Sequence, residues 1–267
     1  MKKTKFFIGP CALESKELAF EVAAYLKENL ALFNEEIDLY FKGSFDKANR
    51  SSVDSYRGPG MSEGLKILES IKGEFGFKTV TDFHLPEQAD EVASVVDTIQ
   101  IPAFLCRQTD LIVAGAEAAK KHGCLLKVKK GQFLAPWDAK NIVDKAHSIL
   151  PLEQILLTER GTSFGYNNLV VDMASFQIMK SFGVETIMDA THSVQKPGGM
   201  GKTTGGKREQ IVTLARAAMA SGADGVFMEA HPNPEKALSD STSQLPMTQI
   251  PKLVSELLEI KKLIGAF

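Results

Sequence analysis

Eight apolar runs, each the length of a strand, recur along the 267 residues with longer amphipathic segments between them. The runs are Phe6–Cys11, Ile37–Phe45, Thr79–Phe83, Thr98–Ala103, Leu125–Lys130, Ile155–Glu159, Thr186–Ala190 and Gly225–Glu229. Helical spacing fills the gaps. Ser15–Leu30 carries apolar residues at Leu18, Ala19, Val22, Ala23 and Leu26, one face of a helix. Met61–Ile71 follows the Gly58-Pro59-Gly60 turn, and Pro86 opens a helix that ends near Val96. Thr109–His122 stops at Gly123, a C-terminal cap. Asp138–Ile149, Val170–Phe182, Arg208–Ala220 and Thr248–Ile264 complete the set.

Strand and helix in strict alternation imply a parallel sheet. Eight units in a chain of this length predict a closed α/β fold, a (β/α)₈ TIM barrel in one domain spanning 1–267. An open Rossmann-type sheet would satisfy the same alternation. It wants a glycine fingerprint after its first strand, where Ile8-Gly9-Pro10-Cys11 stands instead. No linker or low-complexity tract interrupts the pattern.

Charge and cysteine usage exclude several classes. Lys and Arg number 31 against 33 Asp and Glu, so a nucleic acid is not expected as the main partner. The three cysteines, Cys11, Cys106 and Cys124, do not make a disulfide framework and point to a reducing cytoplasm. The apolar start before Gly9 is too short for a signal peptide, and no segment has the roughly 20 apolar residues of a membrane span.

Polar residues collect where the runs end. Strand one ends in Cys11, strand two in Lys42 and strand three in Asp82 and His84. Strand four carries Gln100, then Arg107; strand five ends in Lys129 and Lys130, and strand six in Glu159 and Arg160. Strand seven ends in Asp189 and His192, strand eight in Glu229 and His231. A barrel gathers these ends on the face where such folds place their chemistry. Lys42, Lys47, Arg50, Lys129 and Arg160 would repel one another there unless an anion of several charges fills the site. Lys47–Ser52, KANRSS, shows no hydrophobic period and offers several donors to one phosphate.

Cys11, His192, Glu229 and Asp240 supply one sulfur, one nitrogen and two oxygen donors. Because strands eight and one adjoin in a closed barrel, the four can meet around a divalent metal such as Zn²⁺, Fe²⁺ or Mn²⁺. A buried structural role for Cys11 remains open on this ground alone. Cys106 and Cys124 read as packing residues. The glycine-rich segment Lys196–Arg208 fails as a Walker A loop, since Lys196 stands where the first glycine is needed, and reads better as a mobile lid.

The segments GPCALES, FKGSFDKANRSSVDSYRGPG, IQIPAFLCRQTDL, VKKGQFLAPWD, LTERGTSFGYNNLVVDM, DATHSVQKPGG and GVFMEAHPNPEKALSDS together resemble the 3-deoxy-D-manno-octulosonate 8-phosphate synthases. The related heptulosonate phosphate synthases, which use erythrose 4-phosphate, tend to carry a KPRTS-like segment where KANRSS stands. The resemblance implies condensation of phosphoenolpyruvate with arabinose 5-phosphate, releasing phosphate, in lipopolysaccharide sugar synthesis. It implies that Lys47, Lys129 and Arg160 hold phosphoenolpyruvate, with Lys42, Asp82, Gln100 and Ala103 lining its pocket. Asn49, Arg50 and Ser51 would hold the sugar phosphate. Lys47, Asp82, His192 and Cys11 are the candidate catalytic residues. Arg107 would reach the neighbouring subunit's site in a homotetramer. Cys at the strand-one position marks the metal-dependent branch, where the metal-independent branch has Asn. Because the first run lies so near the start of the chain, feedback through an N-terminal regulatory domain is not expected.

Overall fold

A computed structural model describes residues 2–50, 52–200 and 203–265. Eight parallel strands form the barrel: β1 (Thr4–Gly9), β2 (Ile37–Lys42), β3 (Lys78–Asp82), β4 (Thr98–Ile101), β5 (Leu125–Lys129), β6 (Ile155–Glu159), β7 (Glu185–Asp189) and β8 (Gly225–His231). Each pairs with the next, and β1 pairs back onto β8 with Gly9 opposite Glu229, which closes the sheet and rules out the open alternative. Helices α1 (Lys16–Asn29), α2 (Met61–Phe75), α3 (Ala89–Val95), α4 (Thr109–His122), α5 (Lys140–His147), α6 (Ser175–Lys180), α7 (Ile211–Ala220) and α8 (Ile250–Ile264) alternate with the strands.

Two apolar layers follow from period-two side-chain placement. The inward layer is Phe7, Tyr40, Val80, Leu156, Ile187 and Phe227, with Phe7 stacked on Tyr40 at 4.6 Å between centroids. The outward layer packs against helix stripes such as Ala19, Val22, Ala23 and Leu26 of α1. Each buried phenylalanine is worth about 1.5–3 kcal/mol over its exposed state. Local chemistry sets the helix ends. The Ser15 hydroxyl accepts from Leu18 N at 3.1 Å, and Gly123 takes φ +73° to end α4.

Two sequence expectations need correction, and the segment expected as a lid takes a defined form. Strand one stops at Gly9, because Pro10 has no N–H for the ladder; Cys11 lies beyond it in the loop. A Cβ on Gly9 would collide with the Lys42 carbonyl oxygen, so only glycine lets β1 and β2 run this close beneath the barrel mouth. The helix expected from Val170 is only Ser175–Lys180. Leu169–Val170 instead pairs with Thr162–Ser163 in a small hairpin whose turn places Asn167 at φ +53°. The segment read as a lid is an antiparallel ribbon of Gln195–Met200 with Thr203–Gly206, tied at its base by Lys207 N donating to Val194 O.

Candidate active site

The C-terminal strand ends surround one cavity. It is lined by Lys42, Lys47, Asn49, Arg50, Asp82, Gln100, Ala103, Lys129, Arg160, His192, Glu229 and Asp240, each singled out from the sequence. Strand geometry explains the convergence. Lys42, Asp82, Lys129 and Asp189 are the last residues of β2, β3, β5 and β7, and Arg160 directly follows β6. Ala103 opens a single 3₁₀ turn just past β4. Ser51 lies outside the described residues. Cys11 is fully buried beside Asp240, its Sγ 3.6 Å from Oδ2. Arg107 does not line the cavity; it is exposed on the rim after β4.

The repulsion expected among the five cations is largely relieved inside the protein. Lys42 Nζ donates to Pro10 O at 3.1 Å, Cys11 O at 2.6 Å and Glu229 Oε1 at 2.7 Å, so its three donors are spent and it contributes charge alone. Lys129 Nζ donates to Asp189 Oδ2 at 2.6 Å. Arg50 Nη1 donates to Asp240 Oδ1 at 2.9 Å, while its Nη2 is buried without a partner. Arg160 differs. It has no carboxylate within ion-pair distance among the described residues, and its Nη2 donates only to neutral acceptors, His192 O at 2.8 Å and Gln195 Oε1 at 3.0 Å. A buried guanidinium keeps its proton, so Arg160 is the cation here that an incoming anion must balance.

The carboxylates are held ionised against their burial. Burial opposes the charge on Asp82, but the hydrogen bond from His84 Nε2 at 3.0 Å and its charge outweigh it, with Lys47 and Lys42 adding to the effect. Its Oδ1 is buried without a partner. Burial likewise opposes ionisation of Glu229, and His192, Lys42 and Lys47 overcome it. The opposite holds at Cys11, where burial and then Glu229 push the thiol up to about 12.

Three of the four donors expected from the sequence meet, and the fourth lies beside them. Among the described residues, Cys11, Glu229 and Asp240 bring one donor atom each within 4.8 Å of one another. His192 flanks this trio, with Nε2 at 3.5 Å from Glu229 Oε1 and 3.7 Å from Asp240 Oδ2. Its Nδ1 lies 2.9 Å from Asp189 Oδ2, which turns Nε2 toward the trio in the way a carboxylate orients a ligating imidazole. Glu229 Oε2 is buried with no hydrogen-bond partner, and Asp240 is held at φ +47°. An orphaned carboxylate oxygen, a thiol and an oriented imidazole fit a divalent cation of borderline softness.

Sequence reasoning missed Gln195, which accepts from Arg160 at 3.0 Å and donates to Asp240 Oδ2 at 3.1 Å, linking the anion-seeking arginine to the metal donors. It falls at the edge of a glycine-rich segment, where no periodicity flags it. Lys127 was also missed, although its spacing of two from Lys129 puts both on the inward face of β5.

The model of the DAHP synthetase I family matches residues 2–266. The 2-dehydro-3-deoxyphosphooctonate aldolase of Nitratidesulfovibrio vulgaris (strain DP4) is 54% identical over 249 residues, covering 93% of this chain and 89% of the relative. That of Campylobacter jejuni subsp. jejuni serotype O:23/36 (strain 81-176) is 51% identical over 276 residues, covering 99% and 98%. That of Protochlamydia amoebophila (strain UWE25) is 50% identical over 256 residues, covering 96% and 90%. The chain belongs to the DAHP synthetase I family, together with the 2-dehydro-3-deoxyphosphooctonate aldolases that it matches over nearly its whole length.

Proposed function

We propose that this enzyme condenses phosphoenolpyruvate with D-arabinose 5-phosphate and water, giving 3-deoxy-D-manno-octulosonate 8-phosphate and inorganic phosphate, for lipopolysaccharide sugar synthesis. The observation that carries the reading is Arg160, a buried cation without a carboxylate partner among the described residues, opening on the same cavity as Lys47 and Lys129. The names of the relatives favour the octulosonate product over the heptulosonate one.

The residues divide the work by position. Arg160, Lys129 and Lys47 bind the phosphate and carboxylate of phosphoenolpyruvate, with Gln100, Ala103 and Asp82 forming the wall beside them. Asn49, Arg50 and Ser51 take the sugar phosphate; the unpartnered Nη2 of Arg50 is a donor waiting for it. The C3 carbon of phosphoenolpyruvate attacks the aldehyde carbon, whose oxygen gains a proton. Water adds to C2 as the positive charge there develops, and phosphate leaves as the 2-oxo group forms. Lys129 and Arg160 stabilise the charge that departs with phosphate. Cys11, His192, Glu229 and Asp240 would hold a divalent cation, which would supply Lewis acidity.

Arg107, exposed beyond β4, completes the site of a neighbouring subunit in a homotetramer. The three unpaired thiols suit the cytoplasm; among the described residues, no helix is long and apolar enough to cross a membrane. The reading is tested by incubating the metal-loaded enzyme with phosphoenolpyruvate and arabinose 5-phosphate. Equimolar phosphate and an eight-carbon 2-oxo-3-deoxy acid phosphate are expected; phosphate release without a carbon–carbon bond would overturn it.

A further inference from the structure

Lys127 has no part in the site as described so far. It stands on β5 two residues before Lys129, so both side chains point into the barrel and Lys127 lies one layer deeper. It is fully buried, with Nζ 5.2 Å from the Phe7 ring centroid and 4.7 Å from that of Phe227, two rings of the apolar inward layer. Burial there, reinforced by the charge of Lys129, drives the amine's proton affinity well below that of an ordinary lysine. A long polar side chain in such a layer costs free energy that packing alone does not return.

What it gains is one hydrogen bond. Lys127 Nζ donates to Gln100 Oε1 at 2.7 Å. The two residues are register partners on β5 and β4, so the contact is built into the strand pairing and needs no loop to hold it. Gln100 is 3% exposed, and that small opening faces the cavity. A glutamine amide has a carbonyl end that accepts and an NH₂ end that donates. The carbonyl end is the one turned down to accept from Lys127. The NH₂ end then faces the cavity, where it has no hydrogen-bond partner among the described residues. Were the amide reversed, its carbonyl oxygen would meet an anionic substrate and repel it.

We propose that Lys127 is a positioning residue: from beneath the floor of the cavity it fixes the Gln100 amide so that its N–H donors face phosphoenolpyruvate. The inference rests on the reading of the cavity as a phosphoenolpyruvate site. It gives that substrate a neutral, directional donor beside the cations of Lys129 and Arg160. It also gives the buried lysine a function that stability does not explain.

The test is a double-mutant cycle on the metal-loaded enzyme with Lys127→Met, Gln100→Leu and the pair. Methionine keeps the apolar stem and removes the donor. Lys127→Met is expected to lower kcat/KM for phosphoenolpyruvate by about 10- to 100-fold, the range for one lost hydrogen bond to a charged group. The KM for arabinose 5-phosphate and the thermal midpoint should stay near those of the wild type, since methionine suits the layer. In the Gln100→Leu background the same change should add little, and Lys127→Gln, which restores an N–H donor, should recover part of the loss. If Lys127→Met does not fold, Lys127→Leu is read in the same cycle. Unchanged kcat/KM for phosphoenolpyruvate, or an equal loss with and without Gln100, would overturn the positioning role while leaving the proposed function intact. Absence of wild-type turnover would overturn the proposed function and this inference with it.

Discussion

Lys42 Nζ and Glu229 Oε1 meet at 2.7 Å with both side chains sealed from solvent, and the other oxygen of the same carboxylate is buried with no hydrogen-bond partner. Lys42 thus gives one carboxylate oxygen its hydrogen bond and leaves the other without one among the described residues. Removing that lysine takes away the hydrogen bond and leaves Lys47 at 3.8 Å and His192 at 3.5 Å beside the carboxylate; breaking a buried pair costs about 3–5 kcal/mol. Lys42→Met should destabilise the chelated protein on that scale, and less once Mn²⁺ is supplied to take up the Glu229 charge. Chemical denaturation with and without metal measures this; a loss under about 1 kcal/mol in both states would mean that the pair is not needed to hold Glu229.

Cys11 carries the next prediction. Burial and the nearby Glu229 push its thiol up to about 12, so at neutral pH it loses its proton only as a cation takes the proton's place. Metal uptake should release a proton from Cys11, and affinity should weaken by about tenfold for each unit that pH falls. The chelated enzyme should be inactive yet folded, because the barrel core does not include the ion, and Mn²⁺, Fe²⁺ or Zn²⁺ should restore turnover to different extents. Cys11→Ala should lose metal and turnover together. Cys11→Asn, which installs the residue that the resemblance assigns to the metal-independent branch, is the variant to assay without added metal. Full activity in wild-type protein shown by elemental analysis to be metal-free would leave Cys11 as a packing residue.

Among the described residues Arg160 has only neutral hydrogen-bond acceptors, so truncation breaks no direct ion pair within the protein. Arg160→Ala should lower kcat/KM for phosphoenolpyruvate by about 2–4 kcal/mol, the scale for truncating a buried charged contact. Steady-state kinetics varying phosphoenolpyruvate decide the point, and an unchanged kcat/KM would remove Arg160 from the site.

Strand-length apolar runs alternating with amphipathic segments made most of this barrel legible, and the strand ends marked the site. Lys42, Asp82, Lys129 and Glu229 could be placed at strand ends from the sequence because a closed barrel gathers those ends on one face. What stayed hidden depends on contacts across the chain. Val170 fits a helical stripe by spacing, yet Asn167 in a left-handed turn folds it back onto Thr162. Gln195 gains its role from Arg160 and Asp240, residues 35 and 45 positions away. The cations read as mutually repelling because Asp189, Glu229 and Asp240 were not paired with Lys129, Lys42 and Arg50 one by one.

Arg107 projects from the rim without lining its own cavity. The role proposed for it across a subunit boundary predicts complementation. Mixing chains that carry Arg107→Ala with chains inactivated at Lys129 should restore part of the activity, since some mixed sites then have both residues. Size-exclusion chromatography with differently tagged chains verifies that hetero-oligomers form; no recovery in them would count against a shared site.

The central claim is that this cavity joins phosphoenolpyruvate to a five-carbon aldehyde phosphate gripped by Asn49, Arg50 and Ser51. Its most direct test is a comparison of kcat/KM for arabinose 5-phosphate and erythrose 4-phosphate at saturating phosphoenolpyruvate, with metal present. The account predicts a strong preference for arabinose 5-phosphate, and turnover with erythrose 4-phosphate that equals or exceeds it would contradict the account.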